Sequence, residues 1–148
     1  TVIKDALEGL NADWIDRVDV VRSGTGGYSS MFGYAWSISF TGDLVSGNVE
    51  QLTYDVCTPL VSASADAEVA IVTSDDVPAV GTDTEIQTLE IAATAYLAQG
   101  QFALQLEWGG VEAVTSCIEW NATSAYRSCL GRPHECGLCA CGEVWRGN

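Results

Sequence analysis

Large apolar residues take every second position over residues 34–40, and small residues fill the positions between them. A period of two built from aromatic and β-branched side chains is typical of a strand with one buried face. A face of this bulk needs a second layer to cover it, so the pattern predicts a β-sandwich. The apolar positions are Tyr34, Trp36, Ile38 and Phe40.

A second alternating run predicts a β-hairpin later in the chain. Its large apolar positions are Phe102, Leu104, Leu106 and Trp108, and smaller or polar residues stand between them. Gly109-Gly110 then supplies a two-residue turn, and the return strand runs toward residues 117–120.

The other patterns predict shorter elements. Residues 1–10 have the apolar spacing of an amphipathic helix, and residues 121–130 have weak helical character. The glycine run at 23–27 predicts a hairpin loop, because a phosphate-binding loop would end in Gly-Lys-Ser/Thr and lead into a helix. Further strands are predicted over residues 17–22, 49–57, 67–73 and 85–95.

Composition limits the classes of partner. The chain has 148 residues, enough for one domain or for a small domain with a cysteine-rich appendage. Twenty acids against six bases give a net charge of −14, which argues against nucleic acid and anionic membranes as partners. No apolar run approaches the roughly 20 residues that span a bilayer. The start shows neither an initiator Met nor a signal peptide, so we expect a mature or excised piece of a longer precursor.

The six cysteines indicate an oxidising, extracellular compartment. Four of them fall between residues 129 and 141, where His134 is also close enough to suggest a zinc site. Disulfides suit the acidic, lysine-poor chain better. Cys117 could pair with Cys129, and the tail looks like the closing half of an epidermal-growth-factor-like module. The disulfide candidates are Cys57, Cys117, Cys129, Cys136, Cys139 and Cys141.

Asn121-Ala122-Thr123 forms a sequon for N-glycosylation. Together with the extracellular interpretation, it predicts a covalently attached glycan at Asn121.

Residues for catalysis do not converge in the sequence. His134 is the only histidine, and no orienting partner lies near it. The strand-borne acids Glu90, Glu107 and Glu119 alternate with inward positions, so they are expected to face solvent separately. We therefore expect neither an enzyme nor a cofactor. Calcium at Asp75, Asp76 and Asp83 is the alternative to an ordinary acidic loop.

Several tracts resemble a known kind of repeat. Residues 118–125, with Asn-Ala-Thr, resemble the end of a first half-unit in large tandem-repeat surface proteins of protists and algae. Residues 6–10, 18–23, 33–40 and 47–49, with Gly-Tyr-x-Trp, resemble the second half-unit. Similar units occur beside epidermal-growth-factor-like modules in mastigonemes, the flagellar hairs, and in other extracellular fibres.

The resemblance implies a fold and a domain order. It implies a mainly β chain, an immunoglobulin-like β-sandwich with one or two short helices and a small disulfide-rich tail. Residues 1–78 would be the later half of one unit, 79–130 the earlier half of a following or neighbouring unit, and 131–148 an incomplete epidermal-growth-factor-like segment. Either the chain straddles two tandem repeats, or one protomer completes the sandwich of its neighbour by strand addition.

The resemblance also implies a function. The chain would be a structural subunit of an extracellular, glycosylated filament or surface appendage that binds copies of itself or adjacent repeats head to tail. The alternative is a cell-surface adhesion module that binds carbohydrate or calcium. The expected assembly seam consists of Tyr34, Trp36, Ile38, Phe40, Phe102, Leu104, Leu106 and Trp108.

Overall fold

The computed structural model describes residues 2–10, 13–62, 67–73 and 83–122, and these form a mainly β structure with one α-helix. A short 3-10 turn, Tyr28–Ser30, lies between the first two strands. The helix and strands are α1 Val2–Glu8, β1 Val18–Ser23, β2 Tyr34–Phe40, β3 Thr53–Ser62, β4 Ala67–Thr73, β5 Ile86–Ala93, β6 Leu97–Trp108, β7 Val111–Val114 and β8 Ile118–Glu119.

Two antiparallel sheets contain these strands. Sheet A has the order β1-β2-β5-β4, and sheet B has the order β3-β6-β7, with β8 also paired to β6. Strand β5 lies between β2 and β4, and β6 pairs with β3. Elements from the predicted halves 1–78 and 79–130 therefore share both sheets. The predicted tail, residues 131–148, lies outside the described residues.

The core lies between the sheets, and its inward positions follow the alternation seen in the sequence. Trp36, Ile38 and Phe40 of β2 are buried, and the Trp36 ring lies 6.2 Å from the Phe102 ring of β6. Helix α1 adds Ile3 and Leu7, which are also buried. The predicted helix, aromatic strand and hairpin are confirmed. The predicted helix at 121–130 lies almost wholly outside the described residues, and no helix among these residues is long and apolar enough to cross a membrane.

The predicted strand at 49–57 is wrong in its first part, because β3 begins only at Thr53. Val49 and Leu52 are buried, but they lie in an irregular segment that crosses from sheet A to sheet B. Such a segment lacks strand neighbours for its backbone groups, and buried backbone groups need partners. The alternating apolar pattern of the segment therefore reflects burial without strand pairing.

Two buried polar side chains at the start of β5 bind this crossing segment. Gln87 is fully buried, and its Oε1 accepts the N–H of Leu52 at 2.8 Å. Its Nε2 lies 3.3 Å from the carbonyl of Val49, 3.1 Å from that of Glu50 and 2.9 Å from Glu85 Oε1. Glu85 Oε2 accepts the N–H of Val49 at 3.4 Å. One amide thus satisfies three backbone groups that would otherwise be buried without partners.

The Asp16 carboxylate binds the first residues of the same segment, the connection between β2 and β3. Asp16 accepts the N–H groups of Asp43 at 2.8 Å and Leu44 at 3.2 Å. Loss of solvent by itself would raise the pKa of Asp16, but these backbone donors outweigh it and keep the pKa below its usual value. Gly42 is buried against this carboxylate, where an added Cβ would lie 1.7 Å from Asp16 Oδ1. The turn therefore requires both glycine and aspartate.

We predict that Gln87→Leu destabilises the fold by about 3 kcal/mol, because several buried backbone groups lose their partner at once. Urea unfolding, followed by tryptophan fluorescence, measures the change. Gln99→Leu is the matched control, since Gln99 is exposed and should lose little stability. Equal effects of the two substitutions would contradict the role assigned to Gln87.

Candidate interaction surfaces

The eight residues expected to form an assembly seam meet inside one chain. Six of them are fully buried or nearly so, and Tyr34 and Trp108 are partly buried against the same core. The layer that covers β2 therefore comes from β6 of the same chain. This corrects the expectation of an open seam at these side chains: the sequence pattern shows that a face needs a cover, but it does not show which strand supplies it.

Cys57 of β3 and Cys117, just before β8, form a disulfide with their Cα atoms 6.1 Å apart. The expected pairing of Cys117 with Cys129 is therefore wrong. No sequence pattern relates Cys57 to Cys117, because their separation of 60 residues is set by the pairing of β3 and β8 with one shared strand. Cys129, Cys136, Cys139 and Cys141 lie outside the described residues, as does His134.

The disulfide joins the two strands that pair with β6. Cys57 lies in β3 and Cys117 lies just before β8, and both strands are neighbours of β6. On the outer face of β6, opposite the buried Phe102 and Leu104 side chains, Ala103 is only 3% exposed.

Polar pairs occupy the rest of this outer face. Gln105 Oε1 accepts from the Thr53 hydroxyl at 3.1 Å, and its Nε2 donates to Asp55 at 2.6 Å. Gln101 makes the same pair of contacts with Thr58 at 3.3 Å and Glu119 at 2.7 Å. Cross-strand pairs of this kind stabilise a solvent-facing sheet surface. We therefore assign this face a structural role.

Asn121 lies exposed just beyond β8, where its backbone is held in place. Arg22 Nη1 donates to the carbonyls of Asn121 at 2.9 Å and Ala122 at 3.3 Å. The Arg22 guanidinium also lies 4.5 Å from the centre of the Tyr34 ring, which packs against Trp120 at 5.7 Å. The cation–π contact and the aromatic pair fix the peptide that carries the sequon.

The strand edges differ in how they are protected. Lys4 and Glu8 of α1 bind the carbonyl and N–H of Val18, which closes the start of the β1 edge. Strand β3 contains Pro59 and three register shifts, and β7 has four residues. The proline and register shifts of β3 and the short length of β7 block pairing with another chain, whereas the contacts of α1 with the β1 edge are at Val18, its first residue. Strand β4 has neither proline, lysine nor bulge, and among the described residues the Gln51 side chain binds its Ile71 carbonyl.

A cluster of apolar residues lies on the loops at one end of the two sheets, with three exposed members around the partly buried Phe32. We call Tyr28, Met31, Phe32 and Tyr96 the end-loop cluster. The Phe32 ring lies 5.9 Å from the Tyr28 ring and 4.9 Å from the Tyr96 ring. Hydrophobic periodicity could not predict this cluster, since the β1–β2 loop has no apolar period. The content of Tyr, Ser and Gly in the loop, which is typical of binding loops, was the feature of the sequence that could have indicated it.

The ionisable side chains of the described part of the chain bear on the acid and metal sites expected from the sequence. No group of three or more His, Cys, Asp or Glu residues there could hold a metal ion. Glu90, Glu107 and Glu119 are exposed on different strands, as the sequence predicted. Asp83 is exposed too, and Asp75 and Asp76 lie outside the described residues, so the calcium alternative stays a prediction.

Comparison with known proteins gives no match: no family model, curated protein or solved structure is significantly similar to this chain.

We predict that replacing both Cys57 and Cys117 by alanine destabilises the fold by about 4 kcal/mol, because the bridge closes a long loop in the unfolded chain. Thermal unfolding with and without reductant measures this effect. Reductant should lower the melting temperature of the wild type more than that of the double variant, which retains only the four cysteines of residues 129–141. A wild type insensitive to reductant would contradict the prediction.

Proposed function

We propose that the chain is a structural module of an extracellular filament or surface appendage, joined to its neighbours through the edge of β4. The observation that carries this proposal is the regular β4 edge, which has no proline, lysine or bulge, whereas β3 is interrupted, β7 is short and β1 is bound by α1 at its first residue. An exposed regular edge is a template for a strand from another chain. In this proposal the contact between copies is made by backbone hydrogen bonds along β4, and not by the aromatic side chains expected from the sequence.

We assign the two sheets to an immunoglobulin-like sandwich. The orders β1-β2-β5-β4 and β3-β6-β7 correspond to the strand orders ABED and CFG of constant-type immunoglobulin domains. Those domains carry a disulfide between strands B and F. Here the equivalent strands, β2 and β6, meet through Trp36 and Phe102. This arrangement supports a scaffold that bears load between loops at its two ends.

Strand β1 of a neighbouring copy suits the β4 edge. Within sheet A, β1 and β4 run in opposite directions, so a copy displaced sideways presents β1 antiparallel to β4. Val21 and Val72 stand at opposite ends of one row across the outer face, and both are exposed. Pairing β4 with β1 would bring these valines together. The contact is head to tail, so it continues from copy to copy as a filament.

We predict that Val72→Lys weakens assembly at least tenfold, about 1.4 kcal/mol, because a charged side chain would stand in the new pair. Sedimentation velocity and electron microscopy, under oxidising conditions and over a range of concentrations, measure this. Val111→Lys is the matched control: Val111 is 55% exposed and Val72 51%, and Val111 lies on the short strand β7.

Val21→Lys tests the donor strand in the same assay. It should weaken assembly as Val72→Lys does if β1 is the donor. A closed dimer unaffected by Val21→Lys would contradict the filament, since two β4 edges would then pair with each other. A wild type that stays monomeric at all concentrations would contradict the whole proposal.

We further predict that secretion from a eukaryotic cell adds an N-linked glycan to Asn121. The exposed Asn121 and the oxidised Cys57–Cys117 pair support the extracellular assignment. Mass spectrometry should show a carbohydrate mass on the wild type that an N-glycosidase removes and that Asn121→Gln lacks. Asn48→Gln, at an exposed asparagine without a sequon, is the control. A secreted wild type with its bare peptide mass would contradict the prediction.

A further inference from the structure

A cavity of about 360 Å³ lies on the outer face of sheet A, next to the end-loop cluster. Its floor is one row of side chains, since Ser23, Ala35 and Glu90 are register partners on β1, β2 and β5. Ser29 and Ser30 of the β1–β2 loop form its wall. The middle residue of the floor is an alanine, and its small side chain leaves the space open. Hydroxyl and carboxylate groups therefore surround a concave site.

The loop that forms the wall has a fixed conformation. The N–H of Phe32 donates to the Gly27 carbonyl at 2.9 Å, and the N–H of Gly33 donates to the Ser30 carbonyl at 3.0 Å. The Ser30 hydroxyl adds a contact to the Gly27 carbonyl at 3.1 Å. Met31 and Phe32 have left-handed φ values of 46° and 54°, although neither is glycine. Such conformations are strained for residues with a Cβ atom and persist where the surrounding structure determines them.

This conformation joins the end-loop cluster to the cavity through Met31. Met31 lines the cavity and belongs to the end-loop cluster, so the two features adjoin. Its carbonyl accepts the N–H of Ala93 at 2.7 Å, which ties the loop to the connection that carries Tyr96. Tyr28 is 84% exposed and Tyr96 69% exposed, on either side of Phe32. Apolar surface of this kind is uncommon on a sandwich end without a partner.

The chemistry of these groups selects a ligand class. Aromatic faces carry negative charge density that attracts the C–H face of a sugar ring, and serine and carboxylate oxygens accept sugar hydroxyl protons. Among the described residues that line the cavity there is no lysine or arginine and the one charged group is Glu90, so an anionic ligand would meet repulsion. A neutral sugar fits both the ring surface and the polar cavity.

We propose that the cavity and the end-loop cluster together form a binding site for neutral oligosaccharides. One sugar ring lies in the cavity above Ala35, and the neighbouring rings lie across Tyr28 and Tyr96. This site goes beyond the proposed assembly function, because it lies on the loops at one end of the sheets and not at the β4 edge.

The test uses maltohexaose, cellohexaose and mannohexaose as probes, followed by amide chemical shifts of the isotopically labelled chain. At least one of these probes should shift amides within residues 23–34 and 90–96. Tyr28→Ala and Tyr96→Ala should each raise its Kd about tenfold, the equivalent of about 1.4 kcal/mol. Tyr54→Ala is the matched control, because Tyr54 is an exposed tyrosine on β3; it should leave the Kd within twofold.

A second pair of variants tests the cavity itself. Ala35→Leu fills the floor and should abolish the shifts, whereas Ser37→Leu, two residues further along β2, should not. Far-UV circular dichroism and melting temperature establish that each variant folds. Three results would overturn the proposal: no shift with any probe, binding that Ala35→Leu leaves unchanged, or preferential binding of sulfated maltohexaose over the neutral form.

Discussion

The packing of β2 against β6 is the constraint on which the rest of this structure depends. Trp36, Ile38 and Phe40 give one face of β2 a volume that a single sheet cannot bury. Strand β6 supplies the opposite layer, and the chain must then cross between sheets to bring its other strands into register. Each crossing removes backbone groups from strand pairing. The buried amide of Gln87 and the carboxylates of Glu85 and Asp16 are the response to that requirement at the crossing after β2.

This constraint explains what could be predicted from the sequence. Alternation identified β2, the β6–β7 hairpin and the inward residues of both, because side-chain direction in a strand is a local property. The helix α1 followed from apolar spacing for the same reason. The choice of the strand that covers a given face is not a local property. The pattern at 102–108 shows a face that needs covering, and the resemblance to a split repeat assigned that cover to another copy, whereas the structure supplies it within the chain.

Three other features of the structure could not be predicted, because the residues that form them leave no periodic pattern in the sequence. Gln87 occupies an inward position in a strand, where a polar residue has no pattern to distinguish it from a misplaced surface residue. Its role becomes visible only once Leu52 and Val49 lie beside it. The partner of Cys117 likewise depends on two strands sharing β6. The end-loop cluster brings together residues from separate loops, because Ala93 binds the carbonyl of Met31.

The proposed sugar site adjoins the proposed seam, because its floor begins at Ser23 of the donor strand β1. Pairing of β4 with β1 adds four strands per copy, an advance of about 19 Å at the usual strand spacing. Strands twist by about 20–25° each, so successive copies would rotate by about 90°. The end-loop clusters lie at the strand ends, so each copy would present one beside the seam without covering it. A weak site repeated at this spacing gains effective concentration on a polymeric ligand. Assembly would therefore strengthen saccharide binding without any new contact in the site.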